Sequence, residues 1–393
     1  MTDEFDYVLV GGGLQNALIA LSVLDRAPAT RVALIEQAAR LGGNHTWCFH
    51  AGDVPASIAA AIEPLVAHRW TAHEVRFPGF RRRICGGYAA ITSARLDAVV
   101  TQALEAAGGR VLRGRAAREV ARNRVVLDDG ESIAAQFVVD ARGPGSAPPP
   151  AGAGFQIFLG HEVELERPHG LVDPIVMDAE VEQVGGFHFM YALPLAADRL
   201  LVEDTYFTDE PRLDESALAR RIDAWIGDRG LGAYRVVRAE RGVLPMPWTA
   251  GPAPRPTWPL RAGYQGGFFH PATGYSFPVA ARLAAVIAAA PATGGGAALV
   301  SLCRQLVEQQ RYARALNRLA FRWFAPAERW HIFARFYRMP EATIGRFYAL
   351  ELTRADQARI LLGSPPHGFS LRARLAHGTD SARATRLSAR GTS

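Results

Sequence analysis

The segment from Leu200 to Phe207 reads LLVEDTYF. Its apolar, β-branched and aromatic residues, without Gly or Pro, predict a β-strand. Two adjacent acids, Glu203 and Asp204, interrupt it. Successive side chains of a strand point to opposite faces, so one of the two carboxyl groups faces a core. A carboxyl group there costs free energy unless something pairs or holds it. A salt bridge to an arginine is the ordinary outcome; an acid kept for chemistry is the other.

A second set of residues bears on phosphate. VLVGGGLQNALIA (8–20) places Gly11-x-Gly13 between a strand and a helix that opens at Leu14. The first glycine allows a tight turn, and the second lets a pyrophosphate approach the backbone. The helix N-terminus adds N–H donors and a favourable dipole. Asn16 stands where the pattern has its third glycine, a departure from it. RVALIEQ then puts Glu36 at the end of a second strand, where an acid hydrogen-bonds an adenosine ribose. The pair Gly42-Gly43 in LGGNHTW points to FAD rather than NAD. VVDARGPGS (138–146) ends a buried strand with Asp140 and Gly143, where two-domain flavoproteins return to the cofactor. RAGYQGGFFHPATGYSFP (261–278) is a late glycine-rich turn before a helix, with Gly263, His270 and Gly274 as candidate cofactor contacts. Tyr264 follows Gly263 where related hydroxylases carry Asp, and His270 reads equally well as a structural hydrogen-bonding residue. The bland alternative to the whole set is a glycine turn in an ordinary α/β domain.

These residues need elements to hold them. The opening reads as a βαβ unit, followed by a helix over SARLDAVVTQALEAAG and strands up to residue 140. GSAPPPAGAG and its flanks (143–154) form a Gly/Pro/Ala hinge. Beyond it, FQIFLGHEVEL, DPIVMDAEVEQ, GFHFMYALPL and RLLVEDTYF are strands separated by short turns, which predicts an antiparallel sheet. A helix over DESALARRIDAWIGDRG and a strand over YRVVRAERGVLPMP follow. The fold class is α/β, α+β overall. A Rossmann-like FAD-binding domain of the glutathione-reductase/hydroxylase type (1–150 and 256–292) is discontinuous. An antiparallel-sheet substrate domain (151–255) interrupts it. A helical region (293–377) is a candidate membrane contact, and 378–393 reads as a disordered tail.

The chain has 393 residues, 49% hydrophobic and 21% charged, which excludes a disordered chain. Its net charge is +6 and it contains no lysine, so every basic residue counted with Lys and Arg is arginine. That excess is either compositional drift or attraction to an anionic surface, and a membrane fits better than nucleic acid, for which no motif is present. Three scattered cysteines give neither a disulfide framework nor metal spacing. MTDEFDYVLV is not a signal peptide, and FPVAARLAAVIAAAP, with Arg282 inside it, reads as a buried helix rather than a spanning one. The Arg- and aromatic-rich stretch 311–350 reads as a core helix with an arginine surface or as an interfacial face.

Taken in order, VGGGLQNALIAL, GGNHTWCFH, VMDA, ALPL, RLLVEDT and FHPATGYSFP resemble the bacterial lycopene β-cyclases, over roughly residues 6 to 362. The resemblance implies FAD, active in its reduced form, with NADPH or NADH as reductant. It implies lycopene as substrate, closed at its ends into β-ionone rings by way of γ-carotene without net redox change. LVEDT matches the Phe-Leu-Glu-Glu-Thr of the plant enzymes, so Glu203 and Asp204 become the catalytic candidates. An alkene is a very weak base, and a carboxyl group desolvated in an apolar pocket stays protonated and can start the reaction. Glu203 is expected to donate and Asp204 to position or tune it. The expected setting is the bacterial cytoplasm, at the inner face of the membrane. The competing readings are an FAD-dependent monooxygenase on a lipophilic substrate and a non-catalytic flavin sensor.

Overall fold

The computed structural model describes residues 4–143, 152–183, 185–249 and 251–362. Most of the 143–154 hinge and everything expected of residues 363–393 lie outside them. In chain order the strands are β1 Glu4–Val10, β2 Val32–Glu36, β3 Thr46–His50, β4 His68–Phe77, β5 Phe80–Thr92, β6 Arg110–Arg113, β7 Ala117–Val120, β8 Arg124–Leu127, β9 Ser132–Asp140, β10 Ala153–Leu165, β11 Ile175–Asp178, β12 Phe187–Ala196, β13 Arg199–Thr208, β14 Tyr234–Pro247 and β15 Leu260–Arg261. The helices are α1 Leu14–Arg26, α2 Ala59–Ile62, α3 Ser93–Ala106, α4 Glu215–Asp228, α5 Phe277–Ala289, α6 Gly296–Trp323, α7 Trp330–Phe336, α8 Glu341–Tyr348 and α9 Arg354–Leu361.

The first sheet has seven strands, ordered β6-β2-β1-β9-β8-β7 with β15 beside β9. Its centre is parallel: β1 pairs with β2 and β9, and β15 with β9, all in the same direction. Both faces of such a strand are covered, which is why β1 ends in the unbroken, buried apolar run Tyr7, Val8, Leu9 and Val10. Helix α1 is buried from Leu14 to Leu24 because it packs against both α3 and α5.

The second sheet has eight strands, ordered β14-β10-β13-β12-β11-β4-β5-β3. It differs from the expected sheet in two ways. Residues 46–92, which the sequence left without assigned strands, supply β3, β4 and β5. The sheet is also mixed rather than antiparallel, because β4 runs parallel to β11. Helix α4 covers one face, where Leu218, Ile222, Trp225 and Ile226 pack on Leu200 and Val202.

The helical C-terminal region is organised by α6. Its buried residues Leu299, Leu302, Leu306, Ala313 and Phe321 recur at helical spacing. Two buried amides on the same stripe fasten the late glycine loop. Gln310 donates to the carbonyls of Gly267 and Phe269 at 2.5 and 3.0 Å, and Asn317 to those of Pro247 and Pro271 at 3.0 and 2.8 Å. In the 311–350 stretch, Phe321, Phe324, Phe336, Tyr337 and Phe347 are buried, so these rings belong to the core and not to an interfacial face. No helix of the described residues is long and apolar enough to cross a membrane.

Candidate active site

A cavity of ≈ 1640 Å³ is lined from both sheets and from the late glycine loop. Gly11, Gly13, Leu14, Glu36, Gly42, Gly43, Gly143, Gly263, Gly274 and Glu203 all reach it. Asp140, His270 and Asp204 do not line it; they stand behind its wall.

At one end the β1–α1 turn is built for close approach. Gly11 has φ +97°, and a Cβ there would sit 2.8 Å from the carbonyl oxygen of Ala141, so only glycine fits. A Cβ at Gly13 would meet nothing within 4 Å, which leaves the helix N-terminus open to a ligand. Asn16 replaces the third glycine and is fully buried; its amide donates to the carbonyls of Val10 and Gly11 at 3.0 and 2.8 Å, tying the turn to the helix. The Glu36 carboxylate accepts the N–H groups of Gly12 at 2.7 Å and Ala38 at 2.8 Å, which hold it at the cavity edge. Nearby, the amide oxygens of Gln15 and Gln156 are buried without a hydrogen-bond partner among the described residues. Both residues line the cavity, so their oxygens can accept from a polar ligand. An open glycine cradle, a held acid and two orphaned acceptors fit a dinucleotide such as FAD.

The late loop differs from the hydroxylase pattern in a specific way. Tyr264 does not supply a carboxylate; its hydroxyl donates to the carbonyl of Gly274 and closes the loop on itself. His270 is fully buried, with Nε2 3.0 Å from the carbonyl of Phe347 and Nδ1 accepting from the N–H of Ala272 at 3.0 Å. Burial pushes its pKa down to about 3, so it is a neutral tie between the loop and α8. Asp140 is likewise engaged, gripped by the Arg142 guanidinium at 2.7 and 2.9 Å.

At the other end the two acids of β13 part company. Asp204 is on the α4 face, with no exposed surface. Its oxygens meet His188 Nε2 at 2.6 Å and Arg221 Nε at 2.8 Å. Glu203 points the other way, into the cavity. Its hydrogen bond is to the Thr205 hydroxyl, which donates to Oε1 at 2.7 Å, and no arginine or histidine among the described residues pairs with it. Burial pushes its pKa up to about 8, and the neighbouring Glu240 carboxylate adds to the rise against the pull of Thr205. In the sheet, Gly160 of β10 is the register partner of both Glu203 and Glu240. A Cβ at Gly160 would lie 3.2 Å from the Glu240 side chain and 3.6 Å from that of Glu203, so the missing side chain makes room for both acids.

The wall around Glu203 is aromatic. Tyr191 is its register partner on β12. Tyr191 and Tyr88 share a hydrogen bond of 3.0 Å, and Cys48 lies against both hydroxyls. Burial holds both phenols well above their usual range and pushes the Cys48 thiol up to about 12, so all three are neutral. Phe155, Phe158, Phe189, Phe207 and Phe333 add apolar rings to the cavity lining. Such a wall can keep a carboxylic acid protonated and shelter a cation next to it.

Sequence reading missed Tyr88, Cys48, His50, Asp53, Tyr191 and Tyr275. The alternation of TWCFH, which puts Cys48 and His50 on one face of β3, was the available signal. Nothing local marked their convergence with residues over 200 positions away.

Comparison with known proteins agrees with this architecture. Residues 6–374 match the family model described as lycopene cyclase protein. The lycopene beta-cyclase of Pseudescherichia vulneris is 42% identical over 386 residues, covering 95% of this chain and 98% of the relative. That of Pantoea ananas is 39% identical, covering 93% and 96%. Among solved structures, a variant of the halogenase PltM in complex with FAD aligns with TM-score 0.62 at 11% identity, covering 91% of this chain and 90% of that one. At that identity the last likeness speaks for the fold alone. With a match that runs through both sheets and the helical region, the chain belongs to the lycopene cyclase family.

Proposed function

We propose that this protein is a lycopene β-cyclase that closes the open ends of lycopene into β-ionone rings, by way of γ-carotene to β-carotene. The observation that carries the reading is Glu203: a carboxyl group without a cationic partner among the described residues, set in an aromatic wall and pushed up to about 8. The near full-length likeness to bacterial relatives of that name supports the substrate.

Glu203 gives its proton to carbon 2 of a terminal alkene, leaving a tertiary cation at carbon 1. The carbon 5–6 double bond closes on that cation, the charge moves to carbon 5, and a proton leaves carbon 6. Substrate and product are isomers. Thr205 holds the acid in place, and the phenyl and phenol rings keep water from capturing the cation. Asp204, paired to Arg221 and His188, fixes β13 and thereby the aim of Glu203. The open turn at Gly13, the amide oxygen of Gln15 and the Glu36 carboxylate would hold FAD. Bound there and reduced by NADPH or NADH, FAD would supply negative charge that stabilises the cation. Lycopene dissolves in lipid, so we place the enzyme peripherally at the inner face of the bacterial membrane, where its net charge of +6 suits anionic headgroups.

The test is anaerobic. Protein loaded with FAD is given lycopene in liposomes and dithionite, without NAD(P)H, and the carotenoids are separated. γ-Carotene or β-carotene is the expected result. Unchanged lycopene, with an oxygen-containing product once NADPH and oxygen are supplied, would replace this reading with a monooxygenase.

A further inference from the structure

Protonation begins a ring closure, but loss of a proton ends it, and the place of that loss decides the product. A cation at carbon 5 can lose a proton from carbon 6, from carbon 4 or from the attached methyl group. These routes give three different rings with the double bond in three positions. A single well-placed base is therefore a determinant of product, and Glu203 accounts only for the first step.

The cavity holds a second set of titratable groups that the first step does not use. His50, at the end of β3, lines it with its side chain 25% exposed, whereas Asp53 behind it is 4% exposed. Asp53 Oδ2 accepts from the backbone N–H of His50 at 2.8 Å, lies 3.2 Å from His50 Nδ1, and accepts from the Tyr275 hydroxyl at 2.5 Å. A carboxylate on Nδ1 places the ring proton there and leaves Nε2 as an acceptor. The ring itself is boxed in by His73, Tyr88, Tyr275 and Tyr348, with centroids 5.2 to 6.2 Å away. Of these neighbours, His73 is a poor base, since burial pushes it down to about 3. The phenols of Tyr88 and Tyr275 are held neutral by burial. Tyr88 also joins this group to Tyr191, the register partner of Glu203, so acid and dyad share one wall.

We propose that His50, oriented by Asp53, is the base that takes the proton from carbon 6. This rests on the cyclase reading above. The C–H bond at carbon 6 breaks, its electron pair becomes the carbon 5–6 double bond, and the proton goes to Nε2. Asp53 offsets the charge of the imidazolium. One proton enters from Glu203 and one leaves to His50, so the hydrocarbon is isomerised without redox change. Both groups are reset by exchange with water between turnovers.

The experiment uses full-length, FAD-loaded H50Q and D53N in the anaerobic liposome assay, with product rings identified by absorption and NMR. In H50Q, β-ring formation is expected to fall roughly a hundredfold. Of the rings still formed, a raised share should carry the double bond at carbon 4 or outside the ring. D53N should show the same change of ring type with a smaller loss of rate. Bound-flavin absorbance reports folding. If H50Q does not retain flavin, D53N, which keeps the imidazole, carries the test. β-Rings alone, at near wild-type rate in a flavin-bound variant, would overturn the proposal. Wild-type protein that forms no rings would instead sink the cyclase reading.

Discussion

If Glu203 is the proton donor proposed above, raising the pH past 8 should switch off ring closure, because the donor has to carry the proton it gives away. With its pKa pushed up to about 8, about nine-tenths of the protein carries that proton at pH 7, against roughly 0.3% for an ordinary carboxyl group. The shift, with desolvation as its largest cause, is thus worth about 300-fold in donor population. Above pH 8 the rate should fall about tenfold per pH unit. Two substitutions should move this limb in opposite directions. Thr205 donates to the carboxylate, so T205V removes help for the charged form and moves the limb to higher pH. Glu240 and Glu203 flank the same residue of β10, which sets them two strand spacings apart, about 9.6 Å. At an effective dielectric constant of about 20 their repulsion is about 1.7 kcal/mol, or roughly one pH unit. Arg238 lies 2.7 Å from Glu240 and cancels part of this. E240Q should therefore lower the limb by somewhat less than that. The assay is the initial rate of ring formation from pH 6 to 10 with chemically reduced flavin, so that flavin reduction does not limit it. A limb absent in wild type, or unmoved in both variants, would refute Glu203 as the acid.

E203Q should lose at least about a hundredfold in turnover while keeping bound flavin, read by absorbance and product separation. The same variant should be more stable in alkali. The folded pKa is about 8 against 4.5 for the free group, so the folded state keeps a proton that the unfolded chain has released, and stability falls as pH rises from 4.5 through 8. E203Q removes that fall and should raise Tm by about 6 °C at pH 9. D204N should do the reverse, costing about 2 kcal/mol in a denaturant titration. That is less than for a fully enclosed pair, since Arg221 is 37% exposed. G11A places a Cβ 2.8 Å from Ala141 at φ +97° and should release flavin on gel filtration, with a stability loss of about 1–3 kcal/mol.

The sequence made some of this readable for physical reasons. The β1–α1 turn announces itself because its requirement is local: two glycines where backbone must be bare, between a strand and a helix. The opposite facing of Glu203 and Asp204 was readable for the same reason, since alternation along one strand separates neighbours. Strands β4 and β5 were hidden by their outer faces. Arg81 and Arg83 project there to Glu180 and Asp173, so RWTAHEVRF and FRRRICGG look polar. The mixed direction of the sheet was hidden too, because β4 and β11 meet across about a hundred residues of chain. Asn16 looked like damage to a glycine motif. Only its two hydrogen bonds to the turn show that an amide fastens what the glycine would have let pack closely. The group of His50, Asp53 and Tyr275 was signalled only in part: alternation along β3 marks the face of His50, but Tyr275 joins it from 222 residues beyond Asp53.

The turn between β12 and β13 gives the chemistry a mechanical dependence. The pairing is irregular between Pro194 and Ala196, so the ladder has already been offset once before the chain reverses. His169 grips the reversal from outside, with Nε2 2.6 Å from the carbonyl of Ala196 and its backbone N–H on that of Ala197. A strand that slides by one residue turns every side chain over. Here that would turn Asp204 toward the cavity and bury Glu203 against Arg221. The loop's residue count therefore selects which of two neighbouring acids faces the cavity. Insertions or deletions of one residue at 196–198 should be far more damaging than substitutions there, and paired changes that preserve parity should be tolerated.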